Sequence, residues 1–167
     1  MRITRRRHDS YSNRTGKETH KAVDRLQHFM RSVRDQSTQG WYLQLDIKNC
    51  FNRINRVLLY EMLKKHWVKM EHKGTITSDK HQWLRWLTHQ MLARHPAKDV
   101  VYVRREQVNQ VPEHKRLENA PADCGLPIGN LTSQFFANVY LNELDQFIKR
   151  VLRCRYYVRN CQSGNNR

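Results

Sequence analysis

Apolar residues recur at helical spacing in four stretches of this chain and alternate with polar ones in two others. From about Thr19 to Arg34, the residues Ala22, Val23, Leu26, Met30 and Val33 return every three or four positions, which predicts a helix with these side chains on one face. Lys21, Arg25, His28 and Arg31 lie largely outside that stripe. After Gly40, the residues Trp41, Leu43, Leu45 and Ile47 alternate with Tyr42, Gln44 and Asp46, so a short strand is predicted whose carboxylate points away from the main apolar row. Further helices are predicted from about Arg56 to His66 and from about Asp79 to Arg94, the latter with Trp83, Leu84, Leu87 and Met91 on one side and Pro96 ending it. Val100 to Val103 reads as a strand, and the polar stretch to Pro121 as a hairpin or loop, Pro112 and Pro121 arguing against a long central strand. Helical spacing returns after Pro127 and Gly129. From about Leu131 to Val151 it is carried by Phe135, Phe136, Val139, Leu144, Ile148 and Val151, and Cys154, Tyr156 and Val158 then alternate as a strand. Helices mixed with short strands, without a strict βαβ rhythm, predict an α+β fold.

Composition narrows the class of partner more than the fold. The 167 residues suffice for one domain with a core, and 31 Lys and Arg against 15 Asp and Glu give a formal net charge of +16, spread along the chain. A distributed positive charge points to a polyanion. Cys50, Cys124, Cys154 and Cys161 contain no close pair, and no His stands at finger-like spacing, so neither a zinc site nor a disulfide framework is expected. No apolar run approaches the roughly 18 to 20 residues needed to cross a bilayer, and no apolar segment follows the N-terminal arginines. The expectation is a cytosolic protein with no membrane partner.

Chemistry is suggested by two segments. Leu43-Gln-Leu-Asp-Ile-Lys-Asn-Cys-Phe-Asn52 places Asp46 at the end of an apolar strand. A rigid strand end holding a carboxylate, with the next backbone carbonyl, that of Ile47, as an added ligand, is an arrangement that two-metal phosphoryl transfer uses. An Asp there is more often a cap or a solvated loop residue, and Phe51 is by default a core aromatic. The second segment, Leu126-Pro-Ile-Gly-Asn-Leu-Thr-Ser-Gln-Phe-Phe-Ala-Asn-Val-Tyr-Leu141, is a Pro/Gly turn leading into a helix. Gly129 allows close backbone approach, and Ser133 stands on the first helical turn.

Together these segments resemble two blocks of the palm of bacterial reverse transcriptases, and Ile128-Gly129-Asn-Leu-Thr-Ser133-Gln134 is most similar to the diversity-generating retroelement group. Asp9-Ser-Tyr-Ser-Asn-Arg14-Thr-Gly16-Lys17-Glu-Thr-His20 resembles the same family's fingers block, with Glu18 in place of a small residue. The resemblance implies a partial right-hand polymerase over the whole chain: fingers at about 9–40, palm at about 41–66 and 122–159, an interleaved insertion at 67–121, and no thumb. It implies Asp46 as the catalytic and metal-binding carboxylate for two Mg²⁺ ions, assisted by the Ile47 carbonyl. Phe51, Ile128, Gly129, Ser133 and Gln134 would lie around the incoming deoxynucleotide, and Arg14 and Lys17 would face phosphates. An apolar Ile128 where most relatives have Gln would loosen discrimination of base-pair geometry. The implied partners are an RNA template, a DNA primer, deoxynucleotides and an accessory protein, in the bacterial cytoplasm. After Arg159 the family continues into an aromatic-x-Asp-Asp turn, whereas this chain reads Asn160-Cys-Gln-Ser-Gly-Asn-Asn-Arg167, so it is expected to be inactive alone. Group II intron and retron enzymes, or a catalytically dead RNA- or single-strand-binding remnant, are the alternatives.

Overall fold

The computed structural model describes residues 10–11, 19–36, 39–98, 106, 109–128 and 130–160. They form α1 (Thr19–Gln36), a single turn α2 (Cys50–Arg53), α3 (Arg56–His72), α4 (Ser78–Ala93) and α5 (Leu131–Gln146), which passes into a π-helical turn at Phe147–Val151. Two 3₁₀ turns, Glu113–Lys115 and Leu117–Asn119, lie before α5. The chain divides into two compact units, one drawn from Met1–Asp46 and Leu141–Arg167 and the other from Ile47–Tyr140.

The expected α+β fingers-and-palm architecture is not formed. Among the described residues there is no sheet, and strand-like pairing is confined to two isolated bridges, Ser10 with Arg159 and Asn55 with Cys124. The alternation in Trp41–Ile47 meets the side-chain requirement of a strand, but a strand also needs a neighbour for its N–H and C=O groups. None pairs with it among the described residues, and Trp41 and Tyr42 are each 89% exposed. Cys154 to Val158 does not form a strand because the backbone doubles back at the end of α5. Arg153 takes a left-handed φ of 54°, and the Cys154 N–H donates to Ile148 O at 3.1 Å. The strand expected at Val100 to Val103 lies outside the described residues.

In the second unit α3 and α4 form an antiparallel hairpin, with Glu71 beside His81 near the turn and Arg56 beside Leu92 at the open end. Its ends are built locally. Asn55 caps α3 by accepting from the Leu58 N–H at 2.8 Å, and Thr77 caps α4 by accepting from the Lys80 N–H at 3.4 Å. Gly74, at φ 65°, closes α3, its N–H donating to Glu71 O while that of Thr75 donates to Met70 O. Leu59, Leu63, Trp67 and Met70 form the buried side of α3. On α4 the buried positions are His81, Thr88 and Leu92, while Trp83 and Met91, expected on the core face, are 55% and 41% exposed.

In the first unit, α1 buries Ala22 and Phe29 and leaves Val23, Leu26 and Met30 exposed. The Phe29 ring meets Tyr156 at 5.0 Å between centroids, and the Arg25 guanidinium lies 4.5 Å over Phe29. Asp145, 1% exposed, accepts from Arg159 Nε at 2.8 Å, Arg159 Nη2 at 3.0 Å and the Tyr157 hydroxyl at 2.6 Å. Arg159 Nη2 also donates to Ser10 Oγ, and its carbonyl accepts from the Tyr11 N–H. A buried carboxylate is thereby paired and its oxygens satisfied.

Candidate functional site

The two sequence blocks meet directly in the second unit. Residues 51–56 run against 123–126, with N–H groups donating from Leu126 to Phe51 O at 2.9 Å, from Gly125 to Ile54 O at 3.0 Å and from Arg56 to Asp123 O at 2.8 Å. Gly125 is required at this junction. Its φ is 105°, and a Cβ would stand 2.9 Å from Leu117 Cδ1. Asn49, itself in the left-handed region at φ 53°, donates from Nδ2 to His114 O at 2.7 Å, and Asn52 Nδ2 donates to Lys115 O at 2.9 Å. These amides fasten the first block to the 3₁₀ turn that precedes the second.

Arg56 is the central latch. It is 5% exposed, and its guanidinium donates to Leu92 O at 2.9 Å, Ala122 O at 2.7 Å and Cys124 O. One side chain thus joins the start of α3, the end of α4 and the loop leading to the second block. Burial lowers its pKa, and the negative charge available at Asp123 and Cys124 opposes that shift. In the sequence Arg56 figures only as the approximate start of a helix. Its position directly after the capping Asn55, with two of its bonds reaching residues 66 and 68 positions away, is a long-range fact that periodicity does not carry.

The expected site residues fare differently. Phe51 is 7% exposed and Ser133 2% exposed, both in the second unit. Ile128 is 62% exposed, and Gln134 is half-buried, its backbone N–H donating to Asn130 O at 3.2 Å. Asp46 is exposed, in the first unit. The Ile47 carbonyl, expected to face a metal, accepts from the Cys50 N–H at 3.2 Å and closes the turn into α2. Arg14, Lys17 and Gly129 lie outside the described residues. No group of three or more His, Cys, Asp or Glu side chains able to hold a metal occurs among the described residues. One exposed carboxylate does not fit the donor set that a pair of Mg²⁺ ions requires. Asp145, the buried carboxylate among the described residues, is committed to Arg159 and Tyr157.

Among the described residues no helix is long and apolar enough to cross a membrane. Comparison with protein-family models, curated proteins and solved structures finds no match to this chain.

Proposed function

We propose that these 167 residues are a nucleic-acid-binding part of an RNA-directed DNA polymerase, one that engages RNA or single-stranded DNA and does not by itself transfer nucleotides. The observation that carries this reading is the backbone bond from the Leu126 N–H to Phe51 O. It joins the end of one to the start of the other of two segments whose sequences resemble the nucleotide-flanking blocks of reverse transcriptases, although 75 positions separate the two residues. Support for the ligand class comes from the net charge of +16, which favours any flexible polyanion and single strands in particular. Support for the absence of transfer comes from the carboxylates. Positioned metals supply the charge stabilisation in phosphoryl transfer, and Asp46 is the one carboxylate within the blocks that resembles a metal ligand.

Primer extension tests both halves. With an RNA template, a DNA primer, Mg²⁺ and deoxynucleotides, the chain is expected to retain the primer-template in a gel shift and leave the primer unextended. Extension that disappears in Asp46→Ala would overturn the inactive reading. Failure to retain the primer-template at low salt would overturn the polymerase reading as a whole.

A further inference from the structure

A shallow groove of about 250 Å³ lies on the α3–α4 hairpin, lined by Tyr60, Gln82, Arg85, Trp86 and His89. Its geometry follows from helical spacing. Gln82, Arg85, Trp86 and His89 are related by three, four and seven positions and so share one stripe of α4, while Tyr60 rises from the facing helix. The Tyr60 and His89 rings meet edge to face, with centroids 5.5 Å apart and planes at 72°, which fixes one wall. Trp86 is 59% exposed, an indole held on a rigid helix with most of its surface in water. Neither Gln82 nor Arg85 spends its side chain on another described residue.

We propose that this groove is a nucleobase-stacking site for single-stranded RNA or DNA, with the base on Trp86, the adjoining phosphate on Arg85 and the base edge on Gln82 and His89. The lining chemistry favours that occupant over an apolar peptide. Two hydrogen-bonding side chains, a fixed cation and an imidazole surround the indole, and no carboxylate and no aliphatic side chain lines the groove. Exposed aromatic faces beside an arginine bind successive bases of a single strand with little regard to sequence. Charge acts in the same direction, since α3 and α4 together carry six Lys and Arg against three Asp and Glu. The proposal rests on the nucleic-acid reading above and adds a defined surface to it.

The test is fluorescence anisotropy of the full chain with labelled oligo-dT, oligo-rU and an abasic deoxyribose-phosphate tract of equal length. Trp86→Ala is expected to weaken oligo-dT and oligo-rU by about tenfold while leaving the abasic tract and the salt slope unchanged. Trp86→Phe should recover most of the loss. Trp83→Ala, which removes a comparably exposed indole outside the groove, should bind like the parent. Arg85→Ala should lower the salt slope by about one for all three ligands. Equal binding of oligo-dT by the parent and Trp86→Ala overturns the groove while leaving the nucleic-acid reading standing, and assigns the surface to another class of partner. Equal loss for base-bearing and abasic tracts also overturns it, because the indole would then be acting on the fold and not on a base. No binding of any of the three by the parent removes the underlying reading as well.

Discussion

At Arg56 a single side chain satisfies three main-chain carbonyls inside the second unit, so its loss leaves one buried and two part-buried bonds unmade and a cavity besides. Arg56→Ala is expected to cost about 2–4 kcal/mol in urea unfolding, and Arg56→Lys nearly as much, because an ammonium on a single stem cannot reproduce the planar fork. A midpoint unchanged from the parent would mean that the latch is dispensable. The two positive-φ glycines among the described residues separate strain from crowding. Gly74→Ala meets open space and should cost about 1 kcal/mol, whereas Gly125→Ala also drives a Cβ against Leu117 and should cost more. Tyr157 makes an alkaline prediction. Burial and its bond to Asp145 raise the hydroxyl's pKa above the ordinary 10.0, so the folded state resists ionisation that the unfolded state undergoes. That contribution is complete below pH 10 and is lost as pH rises beyond it toward the folded value. Tyr157→Phe should flatten this alkaline loss in a stability-versus-pH series, and an identical slope would show that Asp145 does not act through Tyr157. Little of this was legible in the sequence. The caps Asn55 and Thr77 emerge only in the structure, and Arg56, Gly125 and Asp145 take their meaning from partners far along the chain.

At the scale of elements, helices were legible and strands were not, for a physical reason. A helix satisfies its backbone within itself, so the pattern from about Arg56 to His66 suffices to place α3, although the helix runs on to His72. A strand depends on a neighbour. The alternation of Trp41 to Ile47 is compatible with a sheet and equally with an extended segment in water, and the pattern cannot decide between them. The buried side of a helix is a question of the same kind. Apolar spacing placed Trp83 and Met91 inside, whereas packing buries His81, Thr88 and Leu92 and leaves the indoles of α4 in solvent. An unpaired extended segment is a protease substrate. Limited chymotrypsin digestion is therefore expected to cut first among Trp41, Tyr42, Leu43 and Leu45, all at least 79% exposed, before any aromatic residue of α3 is attacked. Resistance of that segment, with first cuts elsewhere, would show it to be paired after all. Acid acts on the other connection. The Glu71 carboxyl is held below its ordinary 4.5 by its bonds to His81 and to Ser78, so its support of the α3–α4 turn is present above that value and is lost as pH falls through the folded one. Glu71→Gln should remove that acid dependence from a series of unfolding midpoints, and an acid limb that persists in the variant would assign it to other carboxylates.

Over the whole molecule, the fold expected from resemblance and the fold adopted part company, while the pairing of the two blocks at Phe51 and Leu126 holds the resembling segments together without a sheet. The charge of +16 is independent of that difference, because attraction to a polyanion depends on where cations stand in space and not on strand pairing. Binding of a short single strand across a salt series is the most direct test of nucleic-acid binding by this chain. With about six phosphates neutralised, log K is expected to fall linearly with log salt at a slope of about −4, and affinity to drop several hundredfold between about 50 and 200 mM. Affinity that stays constant across that range, or no binding at its low-salt end, would contradict it.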